Sequence, residues 1–149
     1  MKNIIAIDPG ADGGIAWYDL DGNPNCVPMP ETEGDLCELL ARHPMTVAFL
    51  EEVGGYCGVA QPGSAAFKFG RNFGFVLGCL MSMGRRVELV RPQKWQKHFG
   101  LGTVRDSGGK SEWKRKLKAE AQRRFPTCSV TLKTADALLI LDYGRSHLL

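Results

Sequence analysis

The chain has 149 residues, of which 44% are hydrophobic and 23% are charged, and its formal net charge is +3. A chain of this length typically forms one domain around one core, so we expect residues 1–149 to be a single domain. The composition excludes a disordered protein, and no apolar run reaches the roughly 20 residues of a membrane span, so we expect a cytoplasmic protein without a membrane partner.

The N-terminal segment is typical of three consecutive strands. Residues 3–8 form an apolar run that ends on Asp8, as expected of a central strand that is buried on both faces. A Pro-Gly turn ends this run, and further strands are predicted at 13–18 and 26–29. The tight turns between them predict an antiparallel meander.

The rest of the chain alternates helices with two more strands. Apolar spacing and capping residues predict helices at 31–42, 64–83, 111–124 and 135–146, a short helix from Pro92, and strands at 46–50 and 86–90. A glycine-rich loop is predicted at 100–109. This order predicts an α/β fold with a mixed five-stranded sheet flanked by helices.

The helix predicted at 64–83 carries a stripe of glycines. Gly70, Gly74 and Gly78 recur every four residues and therefore share one face, where another backbone can approach closely. Each glycine costs about 1 kcal/mol in helix propensity, so we expect close packing to compensate. The partner is either another element of the same domain or a second subunit, and the pattern leaves both open.

Three acids stand at the ends of buried elements. Asp8 follows the first strand, Glu51 follows the fourth, and Asp136 lies in the first turn of the last helix. If the first and fourth strands are neighbours, Asp8 and Glu51 emerge at one edge, where close carboxylates require a cation or a proton between them. Mg²⁺ prefers oxygen ligands and retains positions for water and phosphate, so the acids predict a metal site for phosphodiester hydrolysis.

Each acid also has an ordinary structural interpretation. Asp8 could serve only the turn, Asp136 could serve only the helix N-terminus, and Glu51 could be a solvated strand end. Strand alternation separates Glu51 from Glu52, but both faces of that strand are apolar. Alternation therefore does not decide which glutamate faces Asp8.

Charge is divided unevenly along the chain. Residues 1–84 carry 4 basic and 10 acidic side chains, whereas residues 85–124 carry 13 basic and 4 acidic ones. A basic block of this size predicts a polyanionic partner beside the predicted cation site, with a solvated basic helix as the alternative. The five cysteines lack a CxxC pair, so we expect free thiols in a reducing cytosol.

Three motifs together resemble a known family. They are Ile-Asp-Pro-Gly in the first strand, Phe-Leu-Glu-Glu-Val in the fourth, and Thr-Ala-Asp-Ala-Leu-Leu-Ile in the last helix. In this order and spacing they resemble the RuvC-like Holliday junction resolvases. The segments 64–70, 91–96 and 135–140 are most similar to the short members from bacteriophages and prophages, which implies a bacterial cell or a phage-infected host.

The resemblance implies a ribonuclease H-like fold, a homodimer, and nicking of four-way or other branched DNA that depends on Mg²⁺ or Mn²⁺, as in DNA recombination and repair. Its metal ligands and catalytic acids would be Asp8, Glu51 and Asp136, and it selects Glu51 over Glu52. Many members carry an acid or a histidine where this chain has Lys133. Lys133 would then balance a phosphate or activate water, and Asp12 is a weaker substitute ligand, so the metal count stays open.

The resemblance also assigns the basic block to DNA. The predicted phosphate contacts are Lys94, Lys110, Lys114, Arg115 and Lys118. Recognition would depend on junction shape and phosphate position more than on base edges. We expect Gly13 and Gly14 to keep the turn after Asp8 free of side chains where DNA passes.

Two other interpretations remain. An Asp-Pro-Gly turn followed by two glycines also resembles the phosphate loop of actin-like domains, although that family normally requires two such domains. A DNA-binding protein of the same fold without catalysis is the other alternative, and Lys133 is its best support.

Overall fold

The computed structural model describes residues 3–52, 54 and 63–148. Its strands are β1 (Ile4–Ile7), β2 (Gly14–Tyr18), β3 (Pro24–Pro28), β4 (Val47–Glu51) and β5 (Arg86–Val90). Its helices are α1 (Glu33–Arg42), α2 (Gly63–Ser82), α3 (Pro92–His98), α4 (Lys110–Arg124) and α5 (Ala135–Leu148). Cys57, and Val53 at the end of the second motif, lie outside the described residues.

The strands form one mixed sheet in the order β3-β2-β1-β4-β5. β2 pairs antiparallel with β1 and with β3, whereas β4 pairs parallel with β1 and with β5. The predicted fold class is confirmed, and the first and fourth strands are neighbours, which is the condition on which the predicted metal site depended. β3 begins at Pro24, two residues earlier than predicted, because its pairing with β2 extends to Tyr18.

Alternation in β1 separates two hydrophobic cores. Ile4 and Ala6 pack in the core that contains buried residues of α4 and α5, whereas Ile5 and Ile7 pack in the core that contains those of α1 and α2. β4 divides in the same way, with Phe49 on the α5 side. Each residue of the two central strands therefore has a known side of the sheet.

Helix α5 lies very close to the sheet. Its residues from Ala135 to Leu141 are all buried, and a Cβ added at Gly144 would lie 2.6 Å from Cδ2 of Phe49. A real Cβ does not come that near a ring carbon, so glycine is the residue that permits this approach. Helix α5 is thereby held against the face of the sheet that carries Phe49.

The glycine stripe of α2 faces away from the sheet. Gly70, Gly74 and Gly78 are exposed, and a Cβ at any of them would meet no atom within 4 Å. Phe67 and Met81 on the same side are 70% and 64% exposed. Within the part of the chain that the structure describes, no other element packs on this stripe; a second subunit as its partner stays a prediction.

None of the helices among the described residues combines the length and hydropathy that crossing a bilayer would require.

Candidate functional site

The three predicted acids share one side of the sheet. Asp8 continues the alternation of Ile4 and Ala6, which pack in the core on the α5 side. Glu51 ends β4 on the same face as Phe49. The parallel register pairs Ile7 with Leu50, and one further step brings Asp8 beside Glu51.

Glu52 belongs to a different contact. It follows the alternation of Leu50, which packs in the core on the α1 and α2 side. Its carboxylate Oε2 lies 3.2 Å from Nε of Arg91, at the start of α3. The fold therefore places Glu51, rather than Glu52, with Asp8.

Asp136 reaches the same place from α5. It lies in the first turn of that helix and is only 8% exposed. Its Oδ2 lies 3.6 Å from the Lys114 Nζ atom on α4. Two strands and two helices thus bring three acids and one lysine together.

Burial and mutual repulsion disfavour the charged forms of these acids. Burial, with the charge of Asp136 next in size, raises the pKa of Asp8 to about 7. Burial, followed by the charges of Asp8 and Asp136, raises the pKa of Glu51 to about 8. Burial also raises the pKa of Asp136, although Lys114 opposes that shift. The site therefore favours either protons or a cation.

The donor chemistry fits a hard divalent cation, although a three-ligand cage is not assembled. Among residues 3–52, 54 and 63–148, no group of three or more His, Cys, Asp or Glu side chains could hold a metal ion as placed. Mg²⁺ usually binds through one or two carboxylates and completes its coordination with water and substrate phosphate. The adjacent pair Asp8 and Glu51 meets that smaller requirement.

Trp95 supports Glu51 from α3. Its indole Nε1 donates a hydrogen bond to Oε2 of Glu51 at 2.8 Å, and its side chain is fully buried. This bond favours the charged carboxylate and opposes the effect of burial on its pKa. The tryptophan therefore fixes the orientation of one acid.

The two glycines after the turn have a different role from the predicted one. Gly13 and Gly14 are buried rather than lying on a surface that DNA could pass. A Cβ at Gly13 would lie 2.8 Å from Cγ of Asp8, and one at Gly14 would lie 2.6 Å from the carbonyl oxygen of Lys133. The prediction of a cleared DNA path was wrong, because these glycines make room for Asp8 and for the segment that leads into α5.

Lys133 does not join the acids through an ion pair. Its side chain is exposed and lines a cavity of about 320 Å³ together with Pro9, and none of the salt bridges in the described part of the chain involves it. Asp12 is exposed, and its charge makes only a small contribution to the raised pKa of Asp8. The lysine that contacts the acid site is Lys114.

The predicted phosphate contacts lie on α3 and α4. Lys110, Lys114 and Lys118 are spaced by four residues and follow one side of α4, whose Trp113 and Leu117 are buried. The other two predicted contacts, Arg115 and Lys94, are exposed; Arg115 pairs with Glu112 at 2.7 Å, and Lys94 precedes Trp95. We call Lys110, Lys114 and Lys118 the basic row of α4; its middle member, Lys114, contacts Asp136.

Sequence reasoning missed two features of the site. Trp95 was expected only as part of a short helix, and Lys114 was expected only along the DNA backbone. The available signal for Lys114 was its position directly after the buried Trp113, at the border of the apolar line. No signal in the sequence links Trp95 to Glu51, 44 residues earlier.

Comparison with known proteins identifies the architecture. No protein-family model and no curated protein matches the sequence. A Thermus thermophilus RuvC structure in complex with a Holliday junction substrate matches with a TM-score of 0.64 and 16% identity, over 98% of this chain and 96% of that chain. The chain has a RuvC-like fold. A second Thermus thermophilus RuvC structure agrees, with a TM-score of 0.63, 16% identity, and coverage of 97% and 96%.

The predicted ribonuclease H-like architecture is thus confirmed at the level of the fold. A structural match at 16% identity shows the arrangement of strands and helices alone. The chemistry of this chain is argued from its own acids. The closer resemblance to bacteriophage and prophage members stays a prediction.

The raised pKa of Glu51 predicts a pH-dependent stability difference for Glu51→Gln. The Glu51 carboxyl stays protonated up to about pH 8 in the folded protein but loses its proton near pH 4.5 in the unfolded chain. The free energy of unfolding of the wild-type protein therefore falls as pH rises between these values. Neutral glutamine avoids this loss. In EDTA at pH 8.5, we expect the variant to be more stable by at least about 2 kcal/mol, because each pKa unit represents about 1.4 kcal/mol.

Denaturant unfolding at pH 8.5 and pH 4 measures this difference, which should nearly vanish at the lower pH. Glu52→Gln is the matched control, because Glu52 contacts Arg91 on the other side of the sheet. A difference for Glu51→Gln that is the same at both pH values would contradict the electrostatic account.

Proposed function

We propose that this protein is a divalent-metal-dependent endonuclease that nicks Holliday and other branched DNA junctions by phosphodiester hydrolysis. The observation that carries the proposal is the convergence of Asp8, Glu51 and Asp136 beside the basic row of α4. The RuvC-like fold supports it, since one structure with that fold contains a Holliday junction substrate.

Asp8 and Glu51 would hold the cation, with Asp136 available as a further oxygen ligand. A bound Mg²⁺ or Mn²⁺ supplies an activated water and charge stabilisation for the leaving oxygen. The chain's own contribution is to bring the carboxylates together at a half-buried edge and to orient Glu51 through Trp95. Their raised pKa values mean that a cation competes with protons, so cation binding strengthens as pH increases.

Lys114 would serve two partners in turn. In the free protein its ammonium lies 3.6 Å from Asp136, and its side chain is still 53% exposed. An incoming phosphate can therefore reach the ammonium without first being buried. Lys110 and Lys118, one turn before and one turn after it, would position the DNA backbone on either side, with Lys94 and Arg115 as flanking contacts.

A homodimer would provide two such sites for the two strands of a junction. The exposed stripe of Gly70, Gly74 and Gly78, flanked by Phe67 and Met81, supports α2 as the contact between subunits.

We expect sedimentation velocity to give the mass of two chains for the wild-type protein. Gly74→Gln should give the mass of one chain, because the glutamine side chain blocks the close approach of the two helices.

A junction-binding protein without cleavage is the second candidate function. Two observations favour it: no metal-holding group of three acids is assembled in the described part of the chain, and Lys133 stands where many members of the family carry an acid or a histidine. Such a protein would bind four-way DNA through α4 but would leave it intact in Mg²⁺ or Mn²⁺.

Cleavage of a synthetic four-way junction in Mg²⁺ separates the two candidates. We expect the wild-type protein to nick it and Asp8→Asn to lose at least about 100-fold in rate, because a metal ion contributes several kcal/mol to such a reaction. Junction binding should persist in the variant, since the basic row of α4 is unchanged. Asp21→Asn is the matched control, because it makes the same chemical change at an exposed aspartate in the turn between β2 and β3. Equal rates for wild type and Asp8→Asn would remove the metal-site assignment.

Salt dependence tests the DNA surface separately. We expect Lys110→Ala with Lys118→Ala to weaken junction binding and to reduce the slope of log K against log salt by about 0.9 for each phosphate that the protein no longer neutralises. Arg42→Ala is the control, because Arg42 ends α1 in the acidic half of the chain and pairs with Glu38. An unchanged slope would place the DNA surface elsewhere.

A further inference from the structure

Two cysteines face each other between α1 and α2. The Sγ atoms of Cys37 and Cys79 lie 2.8 Å apart, although the residues are 42 positions apart in the chain. Cys79 is buried in the core on the α1 and α2 side, whereas Cys37 is half-buried at its margin. This core lies on the opposite face of the sheet from the acids, so the thiols belong to no part of the site described above.

We propose that Cys37 and Cys79 are an oxidation site, at which hydrogen peroxide converts the two thiols into a disulfide that links α1 to α2. The sulfurs of a disulfide are about 2.05 Å apart, so bond formation requires them to approach by less than about 1 Å. Both sulfurs therefore already occupy positions from which small side-chain rotations can join them.

The accessibility of the thiols sets the order of the chemistry. Cys37, the more exposed thiol, loses its proton and attacks one peroxide oxygen; the O–O bond breaks, and Cys37 becomes a sulfenic acid as one water is released. Cys79 then attacks that sulfur, the S–S bond forms, the S–O bond breaks, and a second water leaves. The two thiols lose two hydrogens and two electrons in total, and the peroxide is reduced to two waters.

The surroundings of Cys79 suit the second step rather than the first. Burial raises the pKa of Cys79 to about 11, and the neighbouring Cys37 adds to the shift. Cys79 therefore remains a thiol when the oxidant arrives and is inert toward it. The negative charge of a Cys37 thiolate is one cause of the raised pKa of Cys79. Once Cys37 is an uncharged sulfenic acid, that cause is gone, and Cys79 loses its proton more readily.

The bond would fasten two helices that an exposed ion pair already joins. Arg71 and Glu33 form that pair, at 3.1 Å. Leu36 of α1 and Val76 of α2 line the 320 Å³ cavity beside Pro9, and each lies within one helical turn of a cysteine. Oxidation would therefore fix the separation of the two helices along this cavity.

The other cysteines determine how the test is designed. Cys26 and Cys128 form a second close pair, since Cys26 adds to the raised pKa of Cys128, and Cys57 lies outside the described residues. The test protein therefore carries serine at these three positions and retains only Cys37 and Cys79. It is treated with hydrogen peroxide, alkylated, and measured by intact mass.

We expect the mass before alkylation to fall by about 2 Da, the mass of two hydrogens, and dithiothreitol to reverse the change. Digestion with trypsin without reductant should join peptide 3–42 to peptide 72–85. The melting temperature should rise by roughly 10 °C, because the bond closes a loop of about 40 residues in the unfolded chain.

The matched control is the same protein with Cys37→Ser, which changes the less buried partner. It should show neither the linked peptides nor the rise in melting temperature, and Cys79→Ala should behave in the same way. Peptide mapping of the oxidised wild-type protein, with fragmentation of the linked peptides to distinguish Cys37 from Cys26 in peptide 3–42, gives an answer that does not depend on how the variants fold. Irreversible addition of oxygen, or a disulfide between two chains, in place of the internal bond would overturn the proposal.

Discussion

The structure depends on a repulsion between buried carboxylates that the fold creates and that Lys114 relieves only in part. Parallel pairing of β1 with β4 brings Asp8 beside Glu51, and the close approach of α5 adds Asp136. Burial and like charge raise the pKa of Asp8 and Glu51 to about 7 and 8. Carboxylates held in this way have a strong electrostatic preference for a cation or a proton. We infer that the core is built to hold them together at some cost in stability.

Several surrounding residues serve this arrangement. Gly13 leaves the space that Asp8 occupies, Gly144 lets α5 lie against Phe49, and Trp95 binds Glu51. A larger residue at either glycine would meet atoms closer than a real Cβ tolerates. Packing of the core therefore sets the positions of the acids, while Lys114 on α4 compensates the charge of Asp136.

The sheet separates two kinds of chemistry. The α5 face carries the acids and the basic row of α4, and the opposite face carries the thiol pair Cys37 and Cys79. Because β1 and β4 are buried on both sides, the two regions share a scaffold without sharing side chains.

The sequence by itself determined the strands, most helix positions, and the three acids at the ends of buried elements, because apolar periodicity and turn residues are local properties of a chain. It also indicated that only one of Glu51 and Glu52 can face Asp8. Apart from the family resemblance, only the tertiary structure decided which of the two glutamates faces Asp8. The two faces of β4 become distinguishable once α5 covers one of them. The contacts of Lys114 with Asp136 and of Cys37 with Cys79 join residues 22 and 42 positions apart, so packing alone creates them.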